Sequence, residues 1–171
     1  REHAIVRSLL KDSSVSNIVC APGNAGIAAD VEVRDVDIKN AAAITKLAQE
    51  IASDLVVIGP EVPLAHGAAD AVTAAGIACF GPLKSAAMIE ASKSYAKEIM
   101  IAAGVPTAEA FTCESLDQVE HAMNQFGAPY VIKDDGLAAG KGVVVTSSRD
   151  EAIAHARDCL EKQNGKVVVE E

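Results

Sequence analysis

Residues 131–145 read VIKDDGLAAGKGVVV, and this stretch decides how the second half of the chain folds. Two runs of β-branched residues flank a loop with three glycines, and one lysine lies at each end of that loop. Backbone amides without Cβ bulk can close around an anion, and two ammonium groups can neutralise its charge. The pattern therefore predicts a loop that holds phosphate, and with it nucleotide chemistry.

The loop differs from the common P-loop. Its first two glycines enclose three residues where the P-loop motif needs four, and Gly142 follows Lys141 where that motif has a magnesium-binding hydroxyl. The β-branched residues 143–146 then predict a strand instead of a helix, so a strand–loop–strand hairpin fits better. The alternative is an ordinary glycine turn. Lys133 weighs against it, because a lysine at the end of a buried strand needs an anionic partner.

The composition favours an α/β protein and argues against several kinds of binding function. The 171 residues are 50% hydrophobic but 3% aromatic, so the core must consist of aliphatic side chains, as in helices packed on parallel strands. A net charge of −9 argues against a general nucleic-acid or membrane-surface binder, since both need a basic face. No apolar run is long enough to span a bilayer, so we expect a soluble protein.

The cysteines and histidines indicate neither disulfides nor a metal site. The four cysteines lie far apart without a Cys-x-x-Cys pair, and a chain of this size does not need disulfides. We expect reduced, mostly buried thiols in a cytoplasmic protein. The four histidines form no cluster of ligands in the sequence.

Helical and extended segments alternate along the whole chain, which predicts an α/β fold. Helices are predicted at 4–10, 41–52, 64–75, 84–103 (as one helix or two), 116–126 and 149–160. Strands are predicted at 18–21, 31–33, 55–58, 77–80, 109–112, 130–133, 143–146 and 167–170. The loops at 22–26 and 59–64 follow predicted strands, where open α/β sheets collect ligands; ordinary turns are the alternative on spacing alone.

Four segments in this order and spacing resemble the glycinamide ribonucleotide synthetase family, the phosphoribosylamine–glycine ligases of the ATP-grasp superfamily. They are REHA at 1–4, APGNAG at 21–26, GPEVPL at 59–64 and GLAAGKG at 136–142. The resemblance covers the whole chain but well under half of the family's length, which implies a fragment of a longer chain.

The resemblance implies a fold in two parts. Residues 1–90 form an N-terminal Rossmann-like (pre-ATP-grasp) domain with a parallel sheet that binds substrate and lacks its first strand. Residues 91–171 form the first, small α+β subdomain of an ATP-grasp fold, with the glycine loop, and are incomplete.

The family's activity implies a two-step ligation in de novo purine biosynthesis. ATP phosphorylates the carboxylate of glycine, and the amine of 5-phosphoribosylamine then attacks the acyl phosphate and releases phosphate. Such chemistry needs charge neutralisation and positioning more than a side-chain nucleophile, so no catalytic residue is assigned. It also needs Mg²⁺, whose ligands are expected downstream of residue 171. The implied partners are these small molecules, with no nucleic acid and no membrane, and the oligomeric state is not indicated.

Matched residue by residue, the family's motifs imply two groups of binding residues. The predicted ATP-binding residues are Lys93, Lys133, Gly136, Leu137, Ala138, Ala139, Gly140, Lys141, Gly142, Glu170 and Glu171. The residues predicted to face phosphoribosylamine are Asn24, Ala25 and Glu61.

Asp134 departs from the family, which usually has alanine at this position. A carboxylate beside phosphate-binding lysines should repel the ligand unless it points away or pairs with a lysine. Strand alternation puts Lys133 and Asp134 on opposite faces, so we expect Asp134 to point outward.

Two other functions fit part of the pattern. One is another purine-pathway ATP-grasp ligase, which would share the two phosphate-binding lysines and would turn over without glycine. The other is a noncatalytic nucleotide-binding or scaffold module, whose downstream sequence would lack the metal-binding carboxylate and asparagine.

These 171 residues alone are predicted to be inactive, because the metal ligands and the residues that hold glycine are expected downstream. The measurement is ADP release from ATP with and without glycine. Glycine-dependent ADP release by the isolated chain would contradict the prediction.

Overall fold

The computed structural model of the protein describes residues 1–138, 140–162 and 164–171. The chain divides into two compact units, Arg1–Ala87 and Met88–Glu171. None of the helices in these described residues is both long and apolar enough to cross a membrane.

The first unit alternates short helices with short parallel strands. Its elements are α1 (Glu2–Leu9), β1 (Val19–Cys20), α2 (Ala25–Ala28), β2 (Glu32–Val33), α3 (Ala41–Glu50), β3 (Leu55–Val57), α4 (Glu61–Ala65), α5 (Ala68–Ala74) and β4 (Ala78–Phe80). Strand β1 pairs in parallel with β2, and β3 pairs in parallel with β4. Helix α6 (Lys84–Ala91) spans the division between the units.

The single helix predicted at 64–75 is wrong, because Gly67 divides it. Gly67 adopts φ +82°, a left-handed conformation that interrupts helical hydrogen bonding and that glycine tolerates best. Helix α4 therefore ends at Ala65 and α5 begins at Ala68. The apolar periodicity of this segment reports burial and continues across the break, so it did not reveal the interruption.

The second unit is one antiparallel sheet with helices packed against it. Its elements are α7 (Lys93–Ala102), β5 (Ala110–Cys113), α8 (Leu116–Phe126), β6 (Tyr130–Asp134), β7 (Val143–Thr146), α9 (Arg149–Leu160) and β8 (Val167–Glu170), and the strand order is β5-β8-β6-β7. Strands β6 and β7 form an antiparallel pair on either side of the glycine loop. The predicted hairpin is confirmed, and the P-loop alternative is excluded.

Ser92 divides the segment 84–103 into two helices. Its extended backbone, with φ −137° and ψ 119°, ends the first helix, and its side chain accepts a hydrogen bond from the Tyr95 N–H at 3.1 Å. This N-cap begins α7 at Lys93. Lys93 therefore lies in the first turn of a helix.

One face of the four-stranded sheet carries the core of the second unit. Ile132, Val167 and Val169 are buried and pack in one cluster with residues of α8 and α9. Because side chains alternate along a strand, Lys133, Val168 and Glu170 lie on the opposite face. The sheet thus has the apolar core on one face and the side chains of Lys133 and Glu170 on the other.

Truncation of Ile132 tests this core. Ile132 is 0% exposed, so Ile132→Ala is expected to lower the free energy of unfolding by about 2–5 kcal/mol through lost contacts and a cavity. Val145 on β7 is 64% exposed. The control Val145→Ala is therefore expected to change the free energy of unfolding by about 0.5 kcal/mol or less. Urea unfolding followed by circular dichroism measures both. Equal effects of the two substitutions would contradict this placement of the core.

Candidate functional site

The glycine loop is shaped by close backbone packing. The Asp134 N–H donates to the Gly142 carbonyl at 2.6 Å and closes the base of the loop. A Cβ on Gly142 would lie 2.5 Å from Ala138 Cβ, so no larger residue fits there without a shift. Gly140 adopts φ +79°, which also favours glycine. Two of the glycines therefore serve the loop's own conformation, and the predicted site residue Ala139 lies outside the described residues.

Asp135 joins the loop to the start of α7. Its carboxylate accepts hydrogen bonds from the Ser94 N–H at 2.6 Å, from Ser94 Oγ at 3.0 Å and from Ser92 Oγ at 3.1 Å. Its carbonyl accepts the Lys93 N–H at 3.1 Å, and Lys93 Nζ donates to the Gly136 carbonyl at 3.0 Å. The structure therefore places Lys93 at the glycine loop.

Sequence reasoning missed Asp135 as an anchor. A serine on each side of Lys93, directly before a helix, indicates a cap that attracts a carboxylate. Nothing in the spacing says which of the chain's 24 acidic residues supplies that carboxylate.

Lys133 and Glu170 meet on the charged face of the sheet. Lys133 Nζ lies 2.5 Å from Glu170 Oε2, and Lys97 Nζ lies 3.1 Å from Glu170 Oε1. Burial acts to raise the pKa of Glu170, but hydrogen bonds from Lys133 and Lys97 outweigh it and hold this pKa below its usual value. Lys133 thus has its anionic partner within the protein. Lys97 was not identified from the sequence, where it is one more lysine in a helix.

Asp134 does not point outward, and that prediction is wrong. Asp134 and Lys133 do lie on opposite faces of β6, as expected. The face that carries Asp134 is covered by α9, however, and Asp134 is only 8% exposed. Its Oδ2 lies 2.5 Å from Lys162 Nζ, and its Oδ1 accepts the Gly136 N–H at 3.3 Å. Burial acts to raise the pKa of Asp134, and these bonds lower it below its usual value. Pairing with a lysine, the other way to avoid repelling a phosphate, is the arrangement that the structure adopts.

A cavity of about 590 Å³ lies between the loop and the C-terminal half of α9. It is lined by loop residues that include Gly136, Leu137, Ala138, Lys141 and Gly142, and by residues that include Asp134, Asp158 and Lys162. Neither Lys133 nor Glu170 lines it. The predicted ATP-binding residues thus divide between the two faces of the sheet.

Glu171 lies apart from the lysines. Its N–H donates to the Glu109 carbonyl at 3.1 Å, and its Oε1 accepts the Glu109 N–H at 3.1 Å. These bonds continue the pairing of β8 with β5 by one residue.

In the first unit, α1 lies beside both predicted substrate loops. A Cβ on Gly59 would lie 2.9 Å from Glu2 Oε1, and one on Gly26 would lie 3.4 Å from the His3 ring. The loops at 22–26 and 59–64 therefore flank the start of one helix. At Gly59 the absence of a Cβ allows this approach.

The three residues predicted to face phosphoribosylamine each have a role in the fold of these loops. Asn24 Oδ1 accepts the Ile27 N–H at 3.1 Å and caps α2, in which Ala25 is the first residue. Glu61 begins α4 and lies 2.7 Å from Arg1 Nη1. The hydrogen bond from Arg1 holds the pKa of Glu61 below its usual value.

Across residues 1–138, 140–162 and 164–171, no group of three or more His, Cys, Asp or Glu side chains is placed to hold a metal ion. The carboxylates nearest the loop already have partners. Asp134 pairs with Lys162, and Asp135 binds Ser92 and Ser94.

Two family models match the chain along its whole length. The model described as phosphoribosylglycinamide synthetase, N domain, matches residues 1–90. The model described as phosphoribosylglycinamide synthetase, ATP-grasp (A) domain, matches residues 91–171.

Two curated phosphoribosylamine–glycine ligases are more than half identical to this chain. The phosphoribosylamine–glycine ligase of Streptomyces coelicolor is 54% identical over 171 residues, and that of Mycobacterium bovis is 55% identical over 166 residues. The alignments cover 100% and 94% of this chain but 40% and 39% of the relatives. The chain therefore spans about two fifths of their length.

Solved structures share the fold. Phosphoribosylamine–glycine ligase from Thermotoga maritima matches with a TM-score of 0.78 at 30% identity, over 99% of this chain and 41% of that one. N5-carboxyaminoimidazole ribonucleotide synthetase from Thermus thermophilus matches with a TM-score of 0.69 at 17% identity, over 99% and 43%. The second match shows a common fold alone.

Acid unfolding tests the Asp134–Lys162 pair. Because the pKa of Asp134 is lowered in the folded state, its stabilising effect is complete above the unfolded-state pKa of about 3.9 and is lost as the pH falls through the folded-state value. Between about pH 6 and about pH 3, the free energy of unfolding should therefore fall more for the parent than for Asp134→Asn. Urea titrations at each pH measure this difference.

The control for this experiment is Glu161→Gln, which removes an exposed carboxylate beside Lys162. It is expected to keep the parent's stronger acid dependence. An Asp134→Asn profile parallel to the parent's would show that the pair does not stabilise the fold.

Proposed function

Because this chain belongs to the phosphoribosylglycinamide synthetase family, we propose that it forms part of an enzyme that ligates glycine to 5-phosphoribosylamine with ATP. The family and the fold class predicted from the sequence are confirmed by the two family models and by the match to the Thermotoga maritima enzyme. The products would be glycinamide ribonucleotide, ADP and phosphate, formed through glycyl phosphate.

The observation that supports this function best is the meeting of Lys93, the glycine loop and the end of β6 around Asp135. Lys93 reaches the loop at the Gly136 carbonyl, and Lys133 is the last but one residue of the strand that leads into the loop. Two lysines and the amides of a glycine loop suit the phosphates of a nucleotide, because phosphoryl transfer depends on charge neutralisation and positioning. We propose that Lys93 and Lys133 bind these phosphates and that the loop residues close over them.

Four further assignments are part of the proposal. The backbone at Glu170 and Glu171 would border the adenine, since the Glu170 side chain is held by lysines. Asn24, Ala25 and Glu61 would face phosphoribosylamine, because their loops flank the start of α1. Residues 1–90 would form the substrate-binding domain and residues 91–171 the nucleotide-binding subdomain, and the protein would act in the cytoplasm.

The described residues do not fit a Mg²⁺ site, since the carboxylates nearest the loop bind lysines and serines. The ligands of an ion on the phosphates would come from elsewhere in the protein. A protein with the same fold binds such a nucleotide: the biotin carboxylase domain of the Hydrogenobacter thermophilus 2-oxoglutarate carboxylase was solved in complex with ADP and magnesium.

A second purine-pathway ligase is the competing function, because an enzyme of that kind shares the fold at 17% identity. Identity of 54% to a phosphoribosylamine–glycine ligase favours the first function. A substrate panel separates the two, since glycine-independent turnover with another ribonucleotide would favour the competitor.

The test uses the longest natural protein that contains this chain. ADP release should require both glycine and 5-phosphoribosylamine, and Lys133→Met should lower kcat by about 10²–10³-fold, as the loss of a charge that stabilises a transition state does. Lys46→Met removes a lysine whose side chain is 77% exposed and should leave turnover unchanged. Nucleotide binding without any turnover would instead support a noncatalytic module.

A further inference from the structure

Lys97, Glu170 and Lys133 form a charge trio with more positive than negative charge. Each oxygen of the Glu170 carboxylate meets one ammonium group, Lys97 on Oε1 at 3.1 Å and Lys133 on Oε2 at 2.5 Å. Two ammonium groups and one carboxylate leave the trio with a net charge of about +1 near neutral pH. A salt bridge of Lys133 with Glu170 alone would be neutral.

The two lysines of the charge trio have different surroundings. The Lys97 side chain is 12% exposed, and its ammonium group meets Glu170, Thr107 Oγ1 at 2.8 Å and the Ala108 carbonyl at 2.7 Å. An ammonium group has three donors, so Lys97 has none left for a ligand. Lys133 is 25% exposed and, within the described residues, donates only to Glu170.

The different surroundings of the two lysines affect how strongly Lys133 attracts an anion. A carboxylate paired with a single lysine cancels the field that the lysine offers to a phosphate, and at short range it also repels the phosphate. With Lys97 on its other oxygen, Glu170 is compensated from the buried side. The positive charge of Lys133 then remains effective on the exposed side, where a ligand can approach.

We infer that Lys97 is a positioning residue for nucleotide binding: it compensates Glu170, so that Lys133 presents an unmatched positive charge to the phosphates. The inference rests on the proposed function, because it takes a nucleotide phosphate as the ligand of Lys133. Lys97 itself touches no ligand. It acts through Glu170, whose carboxylate pairs with both Lys97 and Lys133.

The competing role for Lys97 is purely structural, since its bonds tie α7 to residues 107–108 and to β8. The two roles predict different effects of a second substitution, at Glu170, in a variant that already lacks Lys97. If charge is decisive, removing the Glu170 charge as well restores the net charge of +1 through Lys133. If the bonds are decisive, the second substitution removes another contact and worsens the defect.

The experiment is a calorimetric titration of ATP, without glycine or phosphoribosylamine, into the longest natural protein that contains this chain. Lys97→Met should weaken ATP binding by about tenfold, an effect of one charge at an intermediate effective dielectric constant. The double variant Lys97→Met with Glu170→Gln should return to within about threefold of the parent, because it removes one charge of each sign. Lys97→Arg keeps the charge and should also bind near the parental affinity.

Lys46→Met is the matched charge control, and it should bind ATP as the parent does. Parental affinity in Lys97→Met, or no recovery in a folded double variant, would overturn the inference and leave the proposed function standing. A parent that binds no ATP would overturn both. If Lys97→Met does not fold, Glu170→Gln alone decides: it should bind ATP at least as tightly as the parent, and weaker binding would overturn the inference.

Discussion

The alternation of side chains along β6 and β8 is the constraint on which the second unit depends. Strands β6 and β8 are neighbours in the sheet, so Ile132 and Val169 enter the core on one face while Lys133 and Glu170 meet on the other. A shift of one of these strands by one residue would turn its own charged side chain toward α8 and α9 and its own core residue away from them. The same register that builds the apolar cluster therefore assembles the charged one.

Three acidic side chains near the glycine loop are bound by other groups of the protein. Asp135 binds two serines, Asp134 binds Lys162, and Glu170 binds two lysines. A hydrogen bond to a charged group contributes about 1.5–3 kcal/mol, so these partners hold the loop's supports in fixed places before a ligand arrives. A phosphate that binds Lys133 has to compete with Glu170, and the strength of that competition depends on Lys97.

The sequence was most informative where local patterns alone determine structure. The helix at 116–126 and the strands at 143–146 and 167–170 have the predicted bounds, because serine caps, β-branched runs and turns act over a few residues. Long-range partners were less predictable. Lys97 and Asp134 meet their partners across 73 and 28 positions of sequence, and only the folded sheet brings those residues together.

Charge balance indicates which side of the sheet suits a nucleotide phosphate. The cavity beside α9 is lined by three lysines and three aspartates, with Asp134 and Lys162 already paired, so it offers an anion little net attraction. The charge trio on the opposite face has one positive charge in excess. A polyanion therefore gains more on that face. The cavity beside α9 and the face with excess positive charge are therefore different places, and the charge balance argues for the second.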